Sequence, residues 1–166
     1  MNRVQALQLV KEWTKNQNLI KHMLAVEAEM KVLAKYFSAR GGQEEDEELW
    51  GLAGLVHDAD YEEMKEKHPS VMLFQKLEAL GADKTVVQAV KAHGWGYQEG
   101  LPEPQTKLEW SLYCGEELSG LIIACALVRP ERKLAAVTVE AVLKKWKEKS
   151  FAAGVNREQT ELCEEK

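Results

Sequence analysis

The chain has 166 residues, 45% of them hydrophobic and 30% charged, with a net charge of −5. That balance describes an ordinary folded domain able to bury about 70% of its unfolded surface, and the acidic excess argues against a nucleic-acid polymer as partner, which needs a basic footprint. The three cysteines lack CxxC spacing and read as reduced thiols, no apolar run approaches the roughly 20 residues that span a bilayer, and the N-terminus carries no apolar signal region, so the expectation is a cytoplasmic protein with no membrane partner.

Asn2 to Thr14 reads as a short helix carrying Val4, Leu7, Leu9, Val10 and Trp13. Asn18 is the expected cap of a second helix from about Leu19 to Ser38. There Leu19, Met23, Val26, Met30, Leu33 and Phe37 make a continuous apolar stripe, and His22 lies beside it, near the inward face. Gly41-Gly42 is the expected stop. The acidic run Gln43 to Glu48 opens the next helix, where carboxylates suit the positive end of the dipole. Leu49, Leu52, Ala53 and Val56 recur at helical spacing, so this helix buries one face before ending abruptly in His57-Asp58-Ala59-Asp60.

After the polar stretch Tyr61 to Lys67, His68-Pro69 marks a new helix start, with proline in the first helical position. Met72, Leu73, Leu77 and Leu80 are expected to face inward, and Gly81 to end the helix. Asp83 caps a helix from Lys84 to His93, with Val86, Ala89, Val90 and His93 on one face. Trp95 to Gln105 is a loop rich in glycine and proline. A long helix follows, about Thr106 to Val128, with Leu108, Leu112, Glu116, Ser119, Gly120, Ile123 and Leu127 in one stripe that Glu116 interrupts with a carboxylate. Residues Leu118 to Val128 are apolar nearly all round, as in a central helix. Arg129-Pro130 ends it, Thr138 caps a helix through about Lys149, and the last helix starts near Asn156. With no strand pattern and no repeat, the expected fold is all-α. It is read as one helical-bundle domain over residues 1–166, with a core of about 18–128 and helices of 138–166 packed on it.

His57 and Asp58 sit at the edge of a core, where an unpaired charge is costly. Neutral imidazole and carboxylate are both good ligands for a divalent cation, which is the simplest compensation. Side chains from separate helices converge in bundle cores to build such sites. Taken singly, His22, His93 and Glu116 read as satisfied core groups. Taken with His57-Asp58, they read as a site.

The order His22, then His57-Asp58, then an acidic residue on a late helix resembles the HD superfamily of metal-dependent phosphohydrolases. Asn18 to Glu27, Trp50 to Glu62, Glu117 to Ile122 and Phe151 to Glu158 resemble a bacterial and archaeal subgroup of small, HDIG-type HD-domain proteins, over nearly the whole chain. The resemblance implies an all-α fold, a divalent metal (Mn, Mg, Co, Ni, Fe and Zn are not distinguished) and hydrolysis of a phosphomonoester or nucleotide by metal-activated water. It implies His22, His57 and Asp58 as ligands. Glu116 stands where the family has Asp, so its extra methylene requires the backbone or the coordination mode to adjust. His68 and His93 resemble the histidines that hold a second metal in two-metal members, or else contact substrate. Asp60 is the expected group to orient or deprotonate the water, with Glu62 as alternate, and Arg129 and Lys133 are the candidates to balance phosphate charge. The alternative is a catalytically degenerate HD-fold module that binds a nucleotide or metal without turnover, which Glu116 favours. A purely structural helical protein with buried ion pairs is the third reading.

Overall fold

The computed structural model describes residues 1–40 and 44–164. The fold is all-α: among the described residues no strand forms, and extended pairing is limited to an isolated bridge between Trp95 and Gln98. The chain divides into two compact units, Met1–Tyr113 and Cys114–Lys166.

The first unit contains α1 (Arg3–Trp13), α2 (Gln17–Ala39), α3 (Glu47–Val56), the short α4 (Tyr61–Met64) with a 3-10 turn at Lys65–Lys67, α5 (Val71–Ala79), α6 (Lys84–Ala92) and the start of α7 (Lys107–Leu127). Local polar chemistry sets most of these ends. Asn2 and Gln5 cap α1 reciprocally. Asn16 rather than Asn18 caps α2, because its side chain accepts the Asn18 N–H, and the helix begins earlier than expected. Asp46 accepts the N–H groups of Glu48 and Leu49 and opens α3, with Glu47 and Glu48 in its first turn, as the acidic run anticipates. Gly41, Gly42 and Gln43 lie outside the described residues. Proline does not start α5: Ser70 caps it, its side chain accepting the Leu73 N–H, and the helix begins at Val71. Gly81, at φ 69°, supplies the left-handed turn after α5, and Asp83 caps α6.

One apolar cluster joins these helices, with Leu9 and Val10 of α1, Met23, Val26 and Met30 of α2, Trp50 and Leu55 of α3, Leu73 and Leu77 of α5, and Val86 and Val90 of α6. The buried face of α2 is turned towards Ile20, Glu27 and Ala34, so Leu19, Leu33 and Phe37 are only half-buried. Glu27 can lie inside because Arg3 grips its carboxylate at 2.5 and 2.9 Å and Lys31 stands 3.5 Å away. In α5 the inward face is Leu73, Phe74 and Leu77, which leaves Met72 to one side and 56% exposed. α3 is the most enclosed, with Trp50, Gly51, Ala53, Gly54, Leu55 and Val56 all buried.

The second unit holds the rest of α7, a 3-10 turn at Leu134–Ala136, α8 (Val139–Trp146), α9 (Arg157–Glu161) and a 3-10 turn at Leu162–Glu164. Thr138 and Asn156 cap α8 and α9. The Arg157 guanidinium donates to the carbonyls of Trp146, Glu148 and Phe151, which ends α8 at Trp146 and folds the following turn around one cation. Leu127 and Val128, expected inside a central helix, are 60% and 63% exposed at the end of α7. No helix among the described residues is long and apolar enough to cross a membrane.

Candidate metal centre

Two helices of the first unit end in the same way. His57 caps the C-terminus of α3, and its Nδ1 lies 2.8 Å from the Gly54 carbonyl oxygen; His93 caps α6, and its Nδ1 lies 2.6 Å from the Val90 oxygen. A carbonyl only accepts, so Nδ1–H donates in both rings. A neutral ring then keeps its lone pair on Nε2, the atom that binds a cation. Both rings are buried, at 0% and 3% exposure, so burial and the helix end together fix their tautomer and direction.

Asp58, in the turn after α3, is the hub. Its Oδ2 lies 3.5 Å from His22 Nε2, and its Oδ1 lies 3.5 Å from His57 Nε2, 2.8 Å from His68 Nε2 and 3.9 Å from His93 Nε2. The turn is tied to α1 by Thr14, whose buried hydroxyl donates to the Ala59 carbonyl at 3.1 Å. His68 is fixed from behind: Nδ1–H donates to Asp60 Oδ1 at 2.6 Å, while Asp60 Oδ2 accepts the Ser70 N–H at 2.8 Å. The Nε2 atoms of His68 and His93 are 2.9 Å apart. His22 packs edge-on against His57, their ring centroids 5.2 Å apart.

Among the described residues, two groups therefore place three ligand atoms within 4.8 Å of one another: His22, His57 and Asp58, and Asp58, His68 and His93. Ligands about 2.1 Å from a shared cation lie about 3.0–3.4 Å apart, for octahedral and tetrahedral angles respectively. The observed spacings straddle that range, and the donor set of imidazoles and one shared carboxylate fits a metal ion.

Electrostatics separate the imidazoles. Burial, reinforced by His57 and opposed by Asp58, lowers the His22 pKa to about 4, and burial with His68 and His57 holds His93 well below the usual histidine range. Burial also works against the His68 cation, but hydrogen bonds to Asp58 and Asp60 outweigh it and raise its pKa to about 9. Asp58 is pushed up by burial and pulled down further by His57, His68 and His93, so it stays ionised. The proton on His68 Nε2 thus lies between Asp58 and His93, where a cation would replace it.

A pH profile of the chelator-treated protein follows. His22 and His93 titrate lower in the fold than the 6.5 of an unfolded chain, so their stability contribution is present above pH 6.5 and is lost towards pH 4. For His22 alone the loss is about 3 kcal/mol. His68 works in the opposite direction, with a contribution complete below pH 6.5 and lost as pH rises through about 9. Denaturation midpoints measured with chelator should peak near pH 6.5, and the acid limb should shrink in His22→Gln; a flat profile from pH 4 to 9 would contradict this electrostatic picture.

The five residues His22, His57, Asp58, His68 and His93 come together as the sequence suggests. Asp60, expected to orient or deprotonate water, stands behind His68. It is 2% exposed, and both carboxylate oxygens are taken by His68 and the Ser70 amide. Glu62 is structural: it accepts the N–H groups of Lys15 and Asn16 at 2.6 and 3.0 Å, which lowers its pKa. Glu116 belongs to the second unit, where its carboxylate accepts from Gln159 Nε2 at 3.4 Å. Arg129 and Lys133 are also in the second unit; the Arg129 Nε lies 4.0 Å from Glu131, and Lys133 is exposed. Thr14 and Ser70 went unnoticed in the sequence, because a hydroxyl or amide that supports a ligand from a distant position leaves no spacing signal. No protein-family model, curated protein or solved structure matches the chain.

Proposed function

We propose that the first unit is a two-cation centre of the HD type, and that the protein is a metal-dependent phosphohydrolase acting on a small, nucleotide-like phosphomonoester. The observation that carries this reading is one ionised carboxylate, Asp58, shared by two pairs of imidazoles. His22 and His57 would hold one cation and His68 and His93 the other, with Asp58 available to both. Imidazole-rich sites suit Mn, Fe, Co, Ni or Zn better than Mg. When bound, such ions supply Lewis acidity towards a phosphate oxygen and lower the pKa of water.

The protein's own contribution is preorganisation. His22 and His93 stay neutral at pH 7, so each presents a lone pair without first losing a proton. Gly54 and Val90 carbonyls aim His57 and His93, and Asp60 with Ser70 aims His68. Asp60 is thus a positioning residue. Asp60→Asn should weaken the second cation 10–100-fold and leave the first unchanged; a titration with Mn²⁺ that reads both steps checks this, and equal weakening of both steps would contradict it. The reading rests on residues of the first unit alone.

The decisive experiment loads the protein with Mn²⁺, Co²⁺, Ni²⁺ or Zn²⁺ and measures phosphate release from a panel of phosphomonoesters and nucleotides. Turnover should appear and fall at least 100-fold in His57→Ala. Metal binding without turnover on any substrate would instead support a binding module. Absence of metal binding would overturn both.

A further inference from the structure

The second unit brings two of the three cysteines together. Cys114, on α7, is buried, and Cys163, in the 3-10 turn Leu162–Glu164, is exposed. Contacts between α7 and the segment around α9 form an ordered row. The Asn156 N–H donates to Glu117 Oε2 at 2.8 Å, and Gln159, itself 2% exposed, donates to Glu116 Oε1 at 3.4 Å. One turn further on, the Cys163 thiol and Cys114 thiol share a hydrogen bond. As the segment advances from 156 to 163, its partners step back along α7 from 117 to 114. The thiol contact is therefore the end of a docked row of side chains.

We infer that Cys114 and Cys163 are a modification site, a thiol pair that a peroxide converts into a reversible disulfide clamping the segment 156–163 onto α7. The exposed Cys163 is the sulfur a peroxide reaches. Its thiolate attacks one peroxide oxygen; the S–O bond forms, the O–O bond breaks and the leaving oxygen departs as water, giving a sulfenic acid. The Cys114 sulfur then attacks the Cys163 sulfur. The S–S bond forms, the S–O bond breaks, and the Cys114 proton leaves with the second oxygen as water. Two thiols lose two electrons and two protons, and one peroxide becomes two waters. Cys114 is buried beside Cys163 and out of a free peroxide's reach, which assigns it the second, resolving step. Cys125, also buried on α7, is the internal control. The inference does not depend on the hydrolase reading.

The test treats the full-length protein with hydrogen peroxide and counts thiols after denaturation. The count should fall from three to one, with the peptides of Cys114 and Cys163 joined in a non-reducing peptide map, and dithiothreitol should restore it. The melting temperature of the oxidised protein should rise by several degrees, because the cross-link closes a long loop in the unfolded chain. Cys163→Ser should show neither change, and Cys125→Ser should show both. Oxidation of Cys163 to sulfinic or sulfonic acid with Cys114 still reduced, or a covalent dimer through Cys163, would overturn the inference.

Discussion

Asp58→Ala should abolish both cation positions at once, whereas His22→Ala should abolish only one. The asymmetry follows from the geometry: the Asp58 carboxylate lies within 3.9 Å of the ligand nitrogens of His57, His68 and His93 and within 3.5 Å of His22. Removing one imidazole leaves the opposite pair intact. Removing the carboxylate leaves two pairs of imidazoles with no negative charge between them, and Asp60 does not replace it because its oxygens are engaged with His68 and Ser70. Loss of even an outlying partner of a metal ligand costs 10–100-fold in affinity, so loss of the shared ligand should exceed 100-fold at each position. Metal content measured after dialysis against Mn²⁺ checks it: about two equivalents in the parent protein, one in His22→Ala and none in Asp58→Ala. A full equivalent retained by Asp58→Ala would show that the carboxylate is not shared.

Gly54→Ala is the second change with a large expected effect, and it acts without touching a ligand. A Cβ at Gly54 would lie 2.8 Å from the Val26 carbonyl oxygen and 3.0 Å from the Glu27 nitrogen. Those are backbone atoms of α2, which cannot swing aside as a side chain can. α2 and α3 must separate, and His22 stands one turn before Val26 on α2, so the separation carries it away from His57 and Asp58. Overpacking of this kind costs about 1–3 kcal/mol. The variant should unfold at lower urea concentration and bind its first cation at least tenfold more weakly, while the His68–His93 position keeps its affinity. Gly51→Ala is the comparison: the nearest atoms to its Cβ belong to the Lys31 side chain, which can swing away at the cost of its links to Glu27 and Glu48. The gain in helix propensity there is about 0.5–1 kcal/mol and offsets part of that lost ion pairing, so Gly51→Ala should cost less stability than Gly54→Ala and leave the affinity for the first cation unchanged. Equal destabilisation by the two changes would refute the close-approach account.

Much of this centre is visible in the amino-acid order because helix ends are. Apolar periodicity runs up to His57 and to His93 and stops, so both histidines fall at buried termini, where the carbonyls three residues back orient them. Capping by Asp83 and Thr138 is legible for the same local reason. The less legible features depend on tertiary contact. The stripe of α2 is broad enough to allow several rotations, and the close approach at Gly54 with the Arg3–Glu27 pair selects one of them. The partners of Asp60, His68 and the Ser70 amide, lie eight and ten residues further on, a separation that leaves no spacing signal. Met72 lies about 100° round the helix from Leu73 and is outside, because the buried face of α5 centres on Leu73, Phe74 and Leu77.

Anomalous diffraction from crystals grown with Mn²⁺ tests the central claim most directly. The account predicts two peaks about 3.5–4 Å apart on either side of the Asp58 carboxylate, one reached by His22 and His57 and the other by His68 and His93. No peak at Asp58, or one whose ligands exclude His22 and His57, would contradict it.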